Sequence, residues 1–180
     1  EVSSHQRREA KAVNFGIVYG ISDFGLSENI DIPIAAAKDY IEKYFDFYPG
    51  VKAYLDGQVE LAKEEGYVTT MMGRRRNIPE INSRNFHLRN FAKRTAMNTP
   101  IQGSAADIIK LAMIHVADAL KKEGLESKMI LQVHDELIFD VKKDELEQVK
   151  KLVKDKMNHV VELSVPLEIS MDEGESWYEI

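Results

Sequence analysis

Residues 7–20 read Arg7-Arg8-Glu9-Ala10-Lys11-Ala12-Val13-Asn14-Phe15-Gly16-Ile17-Val18-Tyr19-Gly20. The pattern predicts a helix over about residues 4–19, with Ser4 as its N-cap and Gly20 where a left-handed residue closes a helix. Arg7, Lys11, Phe15 and Tyr19 stand at steps of four, which on an α-helix makes one slowly drifting stripe of two cations followed by two rings. An Arg can fork onto two phosphate oxygens, a Lys offers a compact positive charge, and a ring beside them can support a base or sugar. Such a face suits a nucleotide. It suits equally a packing helix whose rings enter a core while Arg7 and Lys11 stretch into solvent.

Outward from this stretch, a short helix is expected near residues 23–29, and Asp31-Ile32-Pro33 reads as the cap and first turn of another running to residue 48. Pro49-Gly50 reads as a break before a helix over 51–65 that Gly66 closes. Residues 67–72 are β-branched and aromatic enough for a strand, and Gly73 and Pro79 mark a loop around the triplet Arg74-Arg75-Arg76. A helix over 86–97, an interruption at Pro100 and a long apolar helix over 101–123 follow. Residues 128–133 and 137–141 then read as two strands of a hairpin with His134-Asp135-Glu136 at its tip. An amphipathic helix over 144–163 and a third strand over 165–171 complete the pattern. The fold class is therefore α+β, a helical segment over 1–82 followed, over 83–180, by a small antiparallel sheet covered by helices.

The 180-residue chain is 44% apolar and 30% charged, an ordinary globular balance, and has no apolar run near the ~20 residues of a membrane span. Without cysteine it has no disulfide, thiolate nucleophile or cysteine-bound zinc. The first residues carry no apolar signal region, so the expected address is cytoplasmic, with no membrane partner. The net charge of −6 is unevenly spread. Between Met71 and Thr95 seven basic residues face the single acid Glu80, a net +6, whereas from Asp118 onward nine lysines face sixteen acids, a net −7. This segregation points to one surface that meets a polyanion, or to a solvated basic loop.

Two further groupings carry chemistry. Asp135 and Glu136 at the hairpin tip can reach a hard cation such as Mg²⁺, although turns also carry such residues for solubility. Arg94, Asn98 and Gln102 stand at steps of four and can donate to minor-groove acceptors, or can serve as caps and a surface ladder around Pro100.

Residues 7–20 resemble the B motif of family A, polymerase I-like, DNA polymerases, the fingers helix that receives the incoming dNTP. Val133-His134-Asp135-Glu136 is similar to that family's C motif in the palm, and Met97-Asn98-Thr99-Pro100-Ile101-Gln102-Gly103 to its primer-template contact segment. The resemblance implies a DNA-directed DNA polymerase acting in replication or repair, with fingers over 1–82 and part of the palm over 83–180. It implies that Arg7 and Lys11 bind the triphosphate, that Phe15 packs on the nucleotide and that Tyr19 borders the base-pair pocket. Asp135 is then the catalytic metal ligand, with Glu136 in support and Mg²⁺ as cofactor, while Arg94, Asn98, Gln102 and His134 contact primer-template DNA. A monomer is expected. Phe15, where some members carry Tyr, implies discrimination against dideoxynucleotides. The family's A motif, with its second aspartate, has no counterpart in the sequence. The expectation is thus a fragment with half of a two-metal site, lacking thumb and exonuclease domains and inactive alone.

Overall fold

The fold was analysed in a computed structural model, in which residues 2–179 are described. Helix α1 spans Ser4–Val18, and its cap is Ser3. The Ser3 hydroxyl accepts from the Gln6 amide at 3.2 Å, and the Gln6 side chain accepts from the Ser3 amide at 2.9 Å. This reciprocal box fixes the start one residue earlier than expected, because Gln6 stands three residues beyond Ser3 rather than Ser4. Gly20, at φ +74°, turns the chain out of α1 as expected.

Helix α2 (Asp23–Ile30) ends on Asp31, which adopts a left-handed φ of 54°. Asp31 therefore closes α2, and helix α3 (Ile34–Phe47) starts after Pro33 with no side-chain cap. Helix α4 (Pro49–Glu65) begins at the proline expected to separate it from α3, since a first-turn proline loses no hydrogen bond. It buries Leu55, Val59 and Ala62 along one stripe and ends at Gly66, φ +76°.

Strand β1 (Tyr67–Thr69) then pairs antiparallel with β2 (Arg75–Asn77), so two of the three arginines expected in a loop lie on a strand. Val68, opposite Arg76, is fully buried and enters a core with Val59, Ala62, Ile78, Ile81, Ala92 and Ala96. The short turn Pro79–Asn82 leads into helix α5, which runs unbroken over Phe86–Lys122. Pro100 does not interrupt it. A proline removes one backbone donor, but in a 37-residue helix the bonds on either side persist, and the Pro100 carbonyl also accepts from the Ser104 hydroxyl.

Packing divides the chain into two compact units after Ser104, within α5, whereas the change of composition falls near residue 82. The difference has a local cause: Ala92 and Ala96 of α5 share the core of α4 and β1. In the second unit, β3 (Lys128–Val133) and β4 (Glu136–Asp140) form the expected hairpin. A 3₁₀ turn, Lys143–Glu145, precedes helix α6 (Leu146–Asn158), five residues shorter at its end than expected. Val149 and Val153 of α6 pack on Val116 and Leu120 of α5. The Glu145 carboxylate accepts from the backbone amides of Glu126 and Ser127 and from the Ser127 hydroxyl, at 3.0, 2.9 and 2.6 Å. The same hydroxyl accepts from the Lys142 amide at 3.1 Å, which ties the start of β3 to the end of β4. The third strand expected over 165–171 does not form among the described residues; that segment has no regular secondary structure and no ladder partner. It is held instead by the Ile169 amide donating to Asn158 Oδ1 at 3.1 Å and by Ile169 against the α6 core.

Candidate functional site

In the first unit, Lys11, Phe15 and Tyr19 line one open cleft of about 580 Å³ together with Arg8, Asn29 and Arg94. The two rings stack at 6.1 Å between centroids and 27° between planes, and Lys11 Nζ lies 5.9 Å from the Phe15 centroid. Phe15 is half exposed, which fits a face offered to a ligand better than a core contact. The lining contains Arg8, Lys11 and Arg94 and no carboxylate. A cleft with three cations beside stacked rings is chemically a receptor for an anion that carries a flat ring.

Arg7 is outside this lining, and Arg8 takes its place. The reason is helical phase. Steps of four overshoot a full turn by roughly 40°, so Arg7 lies roughly 120° around α1 from Tyr19, while Arg8, eleven residues before Tyr19, is within roughly 20° of it. The i, i+4, i+7, i+11 rule for one helix face finds Arg8, whereas a strict step of four misses it.

Gly20 brings α1 against α5. A Cβ there would stand 2.4 Å from Met97 Cε and 3.2 Å from Arg94 Cγ, so the glycine permits the contact that places Arg94 beside the α1 face. Farther along α5, Gly103 is as tightly met, at 2.6 Å from Thr70 Cγ2. Between them Asn98 is half-buried, and its Oδ1 is buried without a hydrogen-bond partner among the described residues. Asn98 lies on the stripe of Arg94 and Gln102. Gln102 is exposed.

In the second unit, His134 and Asp135 form the β3–β4 turn, and Glu136 begins β4 opposite Val133. His134 takes φ +53°, and its carbonyl accepts from Gln132 Nε2 at 2.9 Å. All three side chains are exposed. Oxygen donors on an exposed turn fit a hard divalent cation. Among the described residues, however, no three acidic or histidine side chains gather into a complete metal cage. Asp135 and Glu136 thus fit as part of a donor set.

A sequence profile described as DNA polymerase family A matches residues 1–179. The chain is 58% identical to DNA polymerase I of Bacillus subtilis and 54% identical to DNA polymerase I of Geobacillus stearothermophilus, each over 99% of this chain and 20% of the relative. The chain spans about a fifth of the length of these relatives. Its structure is similar to the POL domain of Pol1 from M. smegmatis, solved in complex with DNA primer-template and dNTP. The TM-score is 0.91 at 47% identity, covering 94% of this chain and 30% of that one.

Proposed function

The chain belongs to DNA polymerase family A, and from that membership we propose that it supplies the nucleotide-binding and primer-template-contacting part of a DNA-directed DNA polymerase. The reaction is template-directed addition of a deoxynucleotide to a primer 3′-hydroxyl, in replication or repair. The observation that carries this reading is the carboxylate-free cleft in which Arg8, Lys11 and Arg94 surround the Phe15–Tyr19 stack.

In this reading, residues 1–82 are fingers and 83–180 belong to the palm. Lys11 and Arg8 neutralise the triphosphate of the incoming dNTP, and Arg7, one third of a turn around α1 from Tyr19, meets its outer end. Phe15 and Tyr19 hold sugar and base. Arg94, Asn98, Gln102 and His134 contact primer and template in the minor groove, where every correct pair offers similar acceptors, so that geometry is checked without reading sequence. Asp135, supported by Glu136, would hold Mg²⁺. Held there, such ions would favour ionisation of the attacking hydroxyl and offset negative charge on the leaving pyrophosphate. Among the described residues no three acidic or histidine side chains gather into a cation site, and in this reading Asp135 and Glu136 contribute one side of it. Its own share of the chemistry is positioning and charge complementarity. The protein is taken as a cytoplasmic monomer.

The test is primer extension by the B. subtilis relative with this chain substituted for its matching fifth, a swap that 58% identity favours. Template-dependent extension that Asp135→Ala abolishes is the expected result. A folded chimera that binds primer-template yet extends no primer would refute the reading.

A further inference from the structure

Helix α4 buries Leu55, Val59 and Ala62, and its other side is unlike an ordinary solvated face. Gly50, Tyr54, Gly57 and Leu61 stand at i, i+4, i+7 and i+11, the spacing that puts residues on one face of a helix, and all four are exposed. Apolar side chains at that spacing are usually buried, yet Tyr54 is 44% and Leu61 37% exposed. At the start of the helix the rings of Phe47 and Tyr48 meet edge to face at 4.8 Å, and Phe47 is 77% exposed. Gly57 lies in the middle of the 17-residue helix, where glycine weakens the helix relative to alanine. A Cβ at Gly57 or at Gly50 would meet nothing within 4 Å, so no packing among the described residues requires either glycine. A missing Cβ on an exposed face leaves room for another backbone to approach closely.

The charge around this face selects its partner. Helices α3 and α4 carry seven acids and four lysines, a net −3. Each lysine is already paired with an acid three or four residues away: Lys38 with Glu42, Lys43 with Asp39, Lys52 with Asp56 and Lys63 with Glu60. Asp46, between Phe45 and Phe47, and Glu64 and Glu65, which follow Leu61 at i+3 and i+4, are in no ion pair among the described residues. The face therefore runs from exposed rings at one end, over a glycine-lined middle, to uncompensated carboxylates at the other. Phosphates would be repelled here, and a second copy would set net −3 against net −3. Exposed aromatic and apolar side chains with free carboxylates beside them suit an amphipathic helix that carries Lys or Arg along the edges of its apolar ridge.

We propose that the exposed face of α4 is a docking surface for a basic amphipathic helix of another protein, which lays its apolar ridge over Gly57 between Tyr54 and Leu61 and sets its cations against Asp46, Glu64 and Glu65. None of these residues lines the nucleotide cleft, and the proposal does not depend on the polymerase reading.

The test is fluorescence anisotropy of the 180-residue chain with three labelled probes. They are a helical peptide of about 18 residues with leucine along one face and lysine on its flanks, the same peptide with glutamate for lysine, and oligo(dT). The parent should bind the lysine peptide alone. Gly57→Ala should weaken that binding by about threefold while raising the melting temperature by about 2 °C, a split that a merely structural glycine would not produce. Gly57→Gln should weaken it by about tenfold or more, and Glu64→Gln/Glu65→Gln by about threefold with a flatter salt dependence. The B. subtilis chimera should bind the peptide as tightly as the chain itself. The proposal is overturned if the parent does not bind the lysine peptide, if it binds the glutamate peptide equally well, or if Gly57→Gln binds like the parent. Binding of oligo(dT) that Gly57→Gln abolishes would assign the face to nucleic acid instead, and a dimer in sedimentation that Gly57→Gln dissolves would assign it to a second copy. Loss of peptide binding in the chimera would show the face covered by the rest of the polymerase and would equally overturn the proposal.

Discussion

At the residue scale, helical phase decides which cation serves the cleft. Arg8 lines it beside Lys11, and Arg7 does not. A charge-assisted hydrogen bond contributes about 1.5–3 kcal/mol, so Arg8→Ala and Lys11→Ala should each weaken binding of dATP to the chain by about tenfold or more. Calorimetric titration measures this, and an unchanged affinity for Arg8→Ala would remove Arg8 from the site. Gly20 offers a stability test. Alanine there must hold φ +74° and push Met97 aside, at a cost of about 1–2 kcal/mol, lowering the melting temperature by about 3–6 °C in calorimetry. Three residues of the stripe, Lys11, Phe15 and Tyr19, were legible in the sequence because chemistry and spacing agreed. Arg8 was hidden because a step of four drifts around a helix, and Asn29 because its place depends on packing between helices.

At the element scale, local signals served well where they stood alone and failed where neighbours intervened. Gly20 and Gly66 ended helices as read, and the hairpin of β3 and β4 formed on either side of His134 and Asp135. Pro100 was read as a break, yet α5 has enough bonds on both sides to carry it. The strand expected over 165–171 had the right composition, but a strand needs a ladder partner, and none is present among the described residues. The arginine triplet looked like loop because strand signals do not include arginine, whereas pairing with the buried Val68 placed Arg76 on a strand. One clasp gives a pH test. Hydrogen bonds from Ser127 and the Glu126 amide hold the Glu145 carboxyl below its ordinary value of 4.5. A depressed carboxylate stabilises the fold above its unfolded pKa, and that contribution fades as pH falls from about 4.5 through the folded value. Urea unfolding of Glu145→Gln should therefore show lower stability than the parent at pH 7 and a difference that shrinks toward pH 3. A difference constant with pH would show that the clasp acts by shape alone.

At the scale of the whole molecule, charge segregation and three motifs in a fixed order made the family legible before any coordinates. The division after Ser104 was not legible, because it falls inside a continuous helix and depends on which side chains pack together. In the function proposed above, cations on α1 bind the nucleotide, the row on α5 contacts primer-template DNA, and Asp135 on the β3–β4 turn serves the chemical step. The most direct test is single-nucleotide incorporation by the B. subtilis chimera carrying Lys11→Ala or Asp135→Ala, with dNTP varied over a wide range and primer-template binding measured in parallel. The account predicts that Lys11→Ala raises the KM for dNTP by about tenfold or more, whereas Asp135→Ala leaves DNA binding intact and abolishes incorporation at every dNTP concentration. Incorporation by the Asp135→Ala chimera at the parental rate would contradict it.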